Sequence, residues 1–135
     1  MRHLPVFLCL LIVSCGSPKN ELQSSLSGAD SLVINFNYPG TDSIEKTMGT
    51  TERNAINELT GFLKGEKKAP TKCSLDGDLQ YFQQGTLIGN IVFSYSTDSC
   101  RQFIIVEKDG SFSSLPLSNK AKDLLGSLKQ GKNWY

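Results

Sequence analysis

Side chains able to do chemistry are sparse in this chain. Asp76-Gly77-Asp78 sets two carboxylates around a glycine, a fragment of the pattern that holds calcium. The regular calcium loop needs further oxygen ligands and a terminal glutamate, and these do not follow at the required spacing. A turn leading into a strand is therefore the expected reading. Glu107 and Asp109 form a second carboxylate pair. As acid and base of a glycosidase they would need a shared cleft, yet they flank what reads as a tight turn. Lys64, Lys67, Lys68 and Lys72 gather positive charge in one loop, which could touch anionic headgroups or a glycan. Glu66 sits among them and no aromatic residue is interleaved, which favours a solvated loop. These residues yield no catalytic set, no metal site and no cofactor site.

Cysteines are the more informative group: Cys9, Cys15, Cys73 and Cys100. Met1, Arg2 and His3 form a short basic head, and Leu4 to Val13 are apolar apart from Pro5, ten residues in all. A bilayer span needs ~20 apolar residues, so the run matches the hydrophobic region of a secretory signal. A buried core helix here would have to begin at the initiator methionine, carry Pro5 inside, and stop at Cys15-Gly16-Ser17-Pro18.

Ile12-Val13-Ser14-Cys15 resembles the lipobox of bacterial lipoproteins: aliphatic, small or aliphatic, small, then cysteine. The resemblance covers the first fifteen residues, and residues 31–135 resemble no named domain family. It implies cleavage between Ser14 and Cys15, a diacylglyceryl group on the Cys15 thiol, and often a further acyl chain on the new amine. One acyl chain gives marginal membrane binding, whereas two or more hold a soluble domain almost permanently. Cys15 is then a lipidation site and not a nucleophile. A plain secretory signal cut nearby would leave its thiol free. Gly16 is not the aspartate that retains some Gram-negative lipoproteins in the inner membrane. The implied address is the cell envelope, and its outer membrane where the cell has one.

Processing changes the composition that matters. The mature chain, Cys15 to Tyr135, has 121 residues and loses Arg2 and the single histidine, His3. Lys plus Arg falls from 14 to 13 against 13 Asp plus Glu, so the formal net charge becomes zero. That balance fits neither a nucleic-acid binder nor a protein steered to an anionic surface. Without histidine, a Ser-His-Asp or Cys-His site and any imidazole-ligated zinc are excluded.

The elements that must position the remaining residues follow from hydrophobic spacing. Residues 15–30 are rich in Ser, Gly, Asn, Gln and charge, and read as a lipidated N-terminus and flexible tether. Leu22 and Leu26, at helical spacing, leave room for a first turn packed on the domain. Residues 31–135 read as one domain. Ser31 to Asn37 alternates Leu32, Ile34 and Phe36 inward, and Ile44 to Met48 is a shorter strand to pair with it. Ala55, Ile56, Leu59, Phe62 and Leu63 predict a helix capped by Thr50 or Thr51 and closed by Lys64 and Gly65. Four strands follow: 78–83, 86–95, 100–108 and 111–117. Asp109-Gly110 predicts a two-residue type I′ hairpin turn. Pro116 cannot donate to a neighbour, which puts the last strand at a sheet edge. Ser118 caps a final helix with Ala121, Leu124, Leu125 and Leu128 on one stripe. The expected class is α+β: an antiparallel sheet of five to six strands with two helices on one face.

With Cys9 in the signal and Cys15 acylated, Cys73 and Cys100 are left in an oxidising compartment. If Cys73 continued the strand, the two would lie about 9.6 Å apart, two strand spacings. A disulfide needs Cα atoms within ~7 Å, so residues 71–77 must curl across the sheet end. The alternative is two reduced, buried thiols. Tyr81, Phe82, Phe93, Tyr95, Phe103 and Phe112 crowd the meander, where they either fill the core or offer an aromatic face to a partner. Trp134 and Tyr135 are expected to dock on the domain.

The functional expectation is a small, non-enzymatic envelope lipoprotein that binds a protein or envelope component, of inhibitor or immunity type. The alternatives are an assembly subunit, with an exposed strand edge near Ser31 or Ser111, and a carboxylate-based hydrolase. Membrane lipid, through Cys15, and an envelope protein or glycan are the expected partners, and nucleic acid is not.

Overall fold

Alternation along the strand-forming runs demands a sheet with one dry face, and the computed structural model, which describes residues 19–135, contains it. Cys15 and the signal expected over residues 1–14 lie outside the described residues. In chain order the elements are α1 (Glu21–Leu26), β1 (Ser31–Asn37), β2 (Ile44–Thr50), α2 (Arg53–Gly61), β3 (Gly77–Gln83), β4 (Thr86–Ser94), β5 (Gln102–Val106), β6 (Phe112–Pro116) and α3 (Asn119–Lys129). The strands form one sheet, ordered β2-β1-β3-β4-β5-β6, and each neighbouring pair is antiparallel. This is the α+β architecture expected from the sequence.

One face of the sheet is dry. Leu32, Ile34 and Phe36 of β1, Leu79 and Tyr81 of β3, Ile91 and Phe93 of β4, Phe103 and Ile105 of β5, and Leu115 of β6 are all buried. They share one core with Leu26 of α1, Ile56 and Leu59 of α2, and Ala121, Leu125 and Leu128 of α3. Three helices, not two, therefore cover this face. The extra one arises in the segment read as a flexible tether, which is ordered from Asn20 onward. Asn20 and Gln23 form a reciprocal capping box: the Asn20 side chain accepts from Gln23 N at 2.7 Å, and Gln23 Oε1 accepts from Asn20 N at 3.2 Å. Leu26 and Ala29 are then buried, because Gly89 leaves α1 room to lie against β4; a Cβ there would overlap Leu26 Cδ2.

Local chemistry departs from expectation at three further places. The type I′ turn sits at Gln84-Gly85, where both residues have positive φ, 49° and 78°. At the β5–β6 hairpin only Gly110 does, at 85°, and Gly110 N donates to Glu107 O. That is a type I turn closed by a left-handed glycine, a longer hairpin than Asp109-Gly110 predicted. α2 stops at Gly61, short of Lys64, and its N-cap position is Glu52, whose side chain makes no capping bond. Thr50 contributes differently, its hydroxyl accepting from Glu52 N at 3.0 Å. Finally, Ser31 is not at an edge: β1 lies between β2 and β3, so the edges are β2 and, as Pro116 required, β6.

Candidate functional site

Alternation that sends the apolar set inward sends a second set outward, where no helix among the described residues covers it. On this face Thr47, Asn35, Asp78, Val92 and Ile104 stand side by side across β2, β1, β3, β4 and β5. Thr47 Oγ1 donates to Asn35 Oδ1 at 2.8 Å, and Asn37 Nδ2 donates to Leu75 O at 3.2 Å. Beside them is an open depression of about 280 Å³ whose lining includes Asp42, Ile44, Asp78 and Gln80. This surface mixes amide, carboxylate and aliphatic groups. It is not aromatic: Tyr81, Phe93 and Phe103 are fully buried, with Phe36 edge-on to Phe93 and Tyr95 stacked on it. Phe82 and Phe112 point outward, but three strands apart, roughly 14 Å. The core thus takes Tyr81, Phe93 and Phe103 of the six candidates, and the two that point outward are too far apart to form one aromatic patch.

The far end of the same face is roofed by the chain between α2 and β3. Lys68 pairs with the free edge of β6, donating to and accepting from Ser114 at 3.0 and 2.7 Å. Gln102 of β5 then grips Thr71 twice, Oε1 accepting from Thr71 N at 3.0 Å and Nε2 donating to Thr71 O at 2.7 Å. Ser94 of β4 donates to Ser74 O at 2.9 Å. Ser94, Gln102 and Ser114 are all buried, and this strap supplies their partners. Cys73 within it is bonded to Cys100, with Cα atoms 6.0 Å apart. The curl across the sheet end required by the sequence is this strap.

The sequence-derived candidates are engaged as follows. Asp76 accepts from Tyr95 N at 2.6 Å and from Ser96 N and Oγ, so it ties the β4–β5 turn to the strap. Asp78 is separated from it on the open face. Asp109 accepts from Ser111 N and Oγ within its own turn. Glu107 pairs with Lys67 at 2.8 Å, and Lys108 with Glu21 at 3.0 Å. These groups rim a depression of about 570 Å³ between α1 and the β5–β6 hairpin. The bonds from Lys67 and Ser113 hold the Glu107 carboxyl below its usual range. The bond from Lys108 does the same for Glu21, and those from Ser111 for Asp109. A general acid at neutral pH needs the opposite shift. Trp134 Nε1 donates to Glu58 Oε2 at 3.3 Å, and the Tyr135 hydroxyl meets Thr50 Oγ1 at 2.9 Å.

α1 and the full extent of the strap go beyond the sequence reading, which leaves room for a first turn at Leu22 and Leu26 and requires residues 71–77 to curl across the sheet end. The spacing Asn20-x-x-Gln23 before Leu22 and Leu26 was a usable helix-start signal. Cys73 and Cys100 were the signal for residues 71–77 of the strap; its contacts with Ser94, Gln102 and Ser114 had none. Set against protein-family models, curated proteins and solved structures, the chain matches none of them.

Proposed function

We propose that this chain is a lipid-anchored, non-enzymatic binding protein of the bacterial envelope, acylated at Cys15 and presenting its open sheet face to a protein partner. The observation that carries the reading is the one-sided build of the domain. All three helices lie on one side of the sheet, and the chain preceding Asn20 joins on that side, since Asn20 Nδ2 donates to Leu63 O just past the end of α2, at 2.8 Å. The uncovered face, with Asp78, Gln80 and Val92, is on the other side, away from Asn20.

The engagement of the carboxylates supports a non-enzymatic role, because Asp76, Asp98, Glu107 and Asp109 each hold a turn or a cation. Among the described residues no helix is long and apolar enough to cross a membrane. In this proposal the acyl chains on Cys15 supply the membrane attachment.

A decisive experiment places a photo-crosslinking residue at Gln80 in one full-length protein and at Asn57 in another, expressed in the native envelope. The intact mass is recorded in parallel. A mass beginning at Cys15 with acyl chains, and one protein adduct seen from position 80 and not from 57, is the expected result. A chain retaining Met1 would overturn the anchor, and adducts from position 57 alone would overturn the face. A second reading, an assembly subunit, is favoured by β2, whose outer edge has no strand partner among the described residues. It would instead produce adducts from β2.

A further inference from the structure

We infer that the surface between α1 and α2 carrying Lys19 and Lys64 rests on anionic lipid headgroups. The inference depends on Cys15 being the anchor, and adds how the domain is oriented on it.

The first premise is covalent. Five peptide steps separate Cys15 from Asn20, a reach of at most ~18 Å. Asn20 is already part of the folded domain through Leu63 and Gln23. A domain of this length is roughly 35 Å across. The chain therefore cannot carry an anchored Cys15 round to the opposite face, and the surface beside Asn20 is the one brought to the bilayer.

The second premise is charge. Beside Asn20 lies a depression of about 590 Å³ lined by Lys19, Gln23, Asn57, Thr60 and Lys64 among others, and among the described residues no carboxylate contributes to its wall. The neighbouring Lys67 and Lys108 are each paired with a glutamate, so Lys19 and Lys64 are the cations this wall presents. Each lysine held at an anionic surface strengthens attachment about five-fold. Lys72, grouped with Lys64 by sequence, lies beyond Thr71 on the strap, whose contacts with Gln102 and Ser94 are on the open face.

The test uses full-length acylated protein purified from membranes, its mass recorded first, then placed in detergent, in phosphatidylcholine vesicles, or in vesicles rich in phosphatidylglycerol. Amine-reactive labelling is read lysine by lysine. Lys19 and Lys64 should label several-fold more slowly on the anionic vesicles than in detergent, with Lys72 unchanged. A Gly/Ser insertion after Ser17 should abolish that protection, and Lys19→Glu should weaken it at Lys64, as Lys64→Glu should at Lys19. Equal labelling of Lys19 and Lys64 in all three settings, protection that is the same on phosphatidylcholine, or protection of Lys72 instead would each overturn the orientation while leaving the anchor intact. A purified chain without acyl groups would remove the anchor, and the orientation with it.

Discussion

An alanine at Gly77 would set its Cβ inside contact distance of the Asn35 carbonyl oxygen and 2.6 Å from Phe93 Cζ. Both neighbours are fixed, one by the sheet and one by the core. Gly77→Ala should therefore cost about 2 kcal/mol in denaturant unfolding. Gly126 is the contrasting case, since nothing lies within 4 Å of a Cβ there and it sits inside α3. Gly126→Ala should stabilise by roughly 0.5–1 kcal/mol in the same assay. Tyr81 makes a pH prediction. Its buried phenol is pushed up to about 12, chiefly by burial, with Thr60 Oγ1 donating to it at 3.2 Å. In the unfolded chain a phenol ionises near pH 10. The contribution of Tyr81 is therefore complete below about pH 10 and is lost as pH rises towards 12. Tyr81→Phe should cost ~1 kcal/mol at neutral pH and shrink the alkaline loss seen in pH-dependent melting. Tyr95, also pushed up to about 12 by burial and by the nearby Asp76 and Glu45 carboxylates, should account for part of what remains.

The strap between α2 and β3 is not a regular element, yet it is held like one. Gln102 gives Thr71 the two bonds that a neighbouring strand would offer, and Cys73–Cys100 closes a loop with a sequence separation of 27. Replacing both cysteines by alanine should cost roughly 3.5 kcal/mol in chemical unfolding. Because the strap sits on the outward face, its release should raise amide exchange in residues 68–76 more than in β1 or β3, whose bonds are internal to the sheet. For α1, Leu26→Ala should cost about 3 kcal/mol, since the side chain is 2 % exposed and fills the space left by Gly89.

As a unit, the domain begins at Asn20 and not at Ser31. A chain starting at Lys19 should unfold in one cooperative transition at the midpoint of the longer protein. One starting at Ser31 should lose several kcal/mol, because it lacks Leu26 and Ala29 from the core and leaves Leu63 O without Asn20. Thermal and urea melts of the two would decide it.

By itself the sequence determined the α+β class, four strands of the six to within a residue at each end, the Ser118 cap, the β6 edge and the cysteine pair. These rest on causes visible along the chain: period-two alternation, a hydroxyl at a helix start, a proline that cannot donate, and two cysteines at the same end of the expected meander. Tertiary structure decided the rest. Whether Leu22 and Leu26 made a helix depended on the space that Gly89 opens on a strand more than sixty residues away. Which face stayed open depended on where the α2–β3 connection crossed, and the four clustered lysines were parted because that connection passes from the helical side of the sheet to the other. Such choices are made by contacts distant in sequence, and hydrophobic spacing carries no record of them.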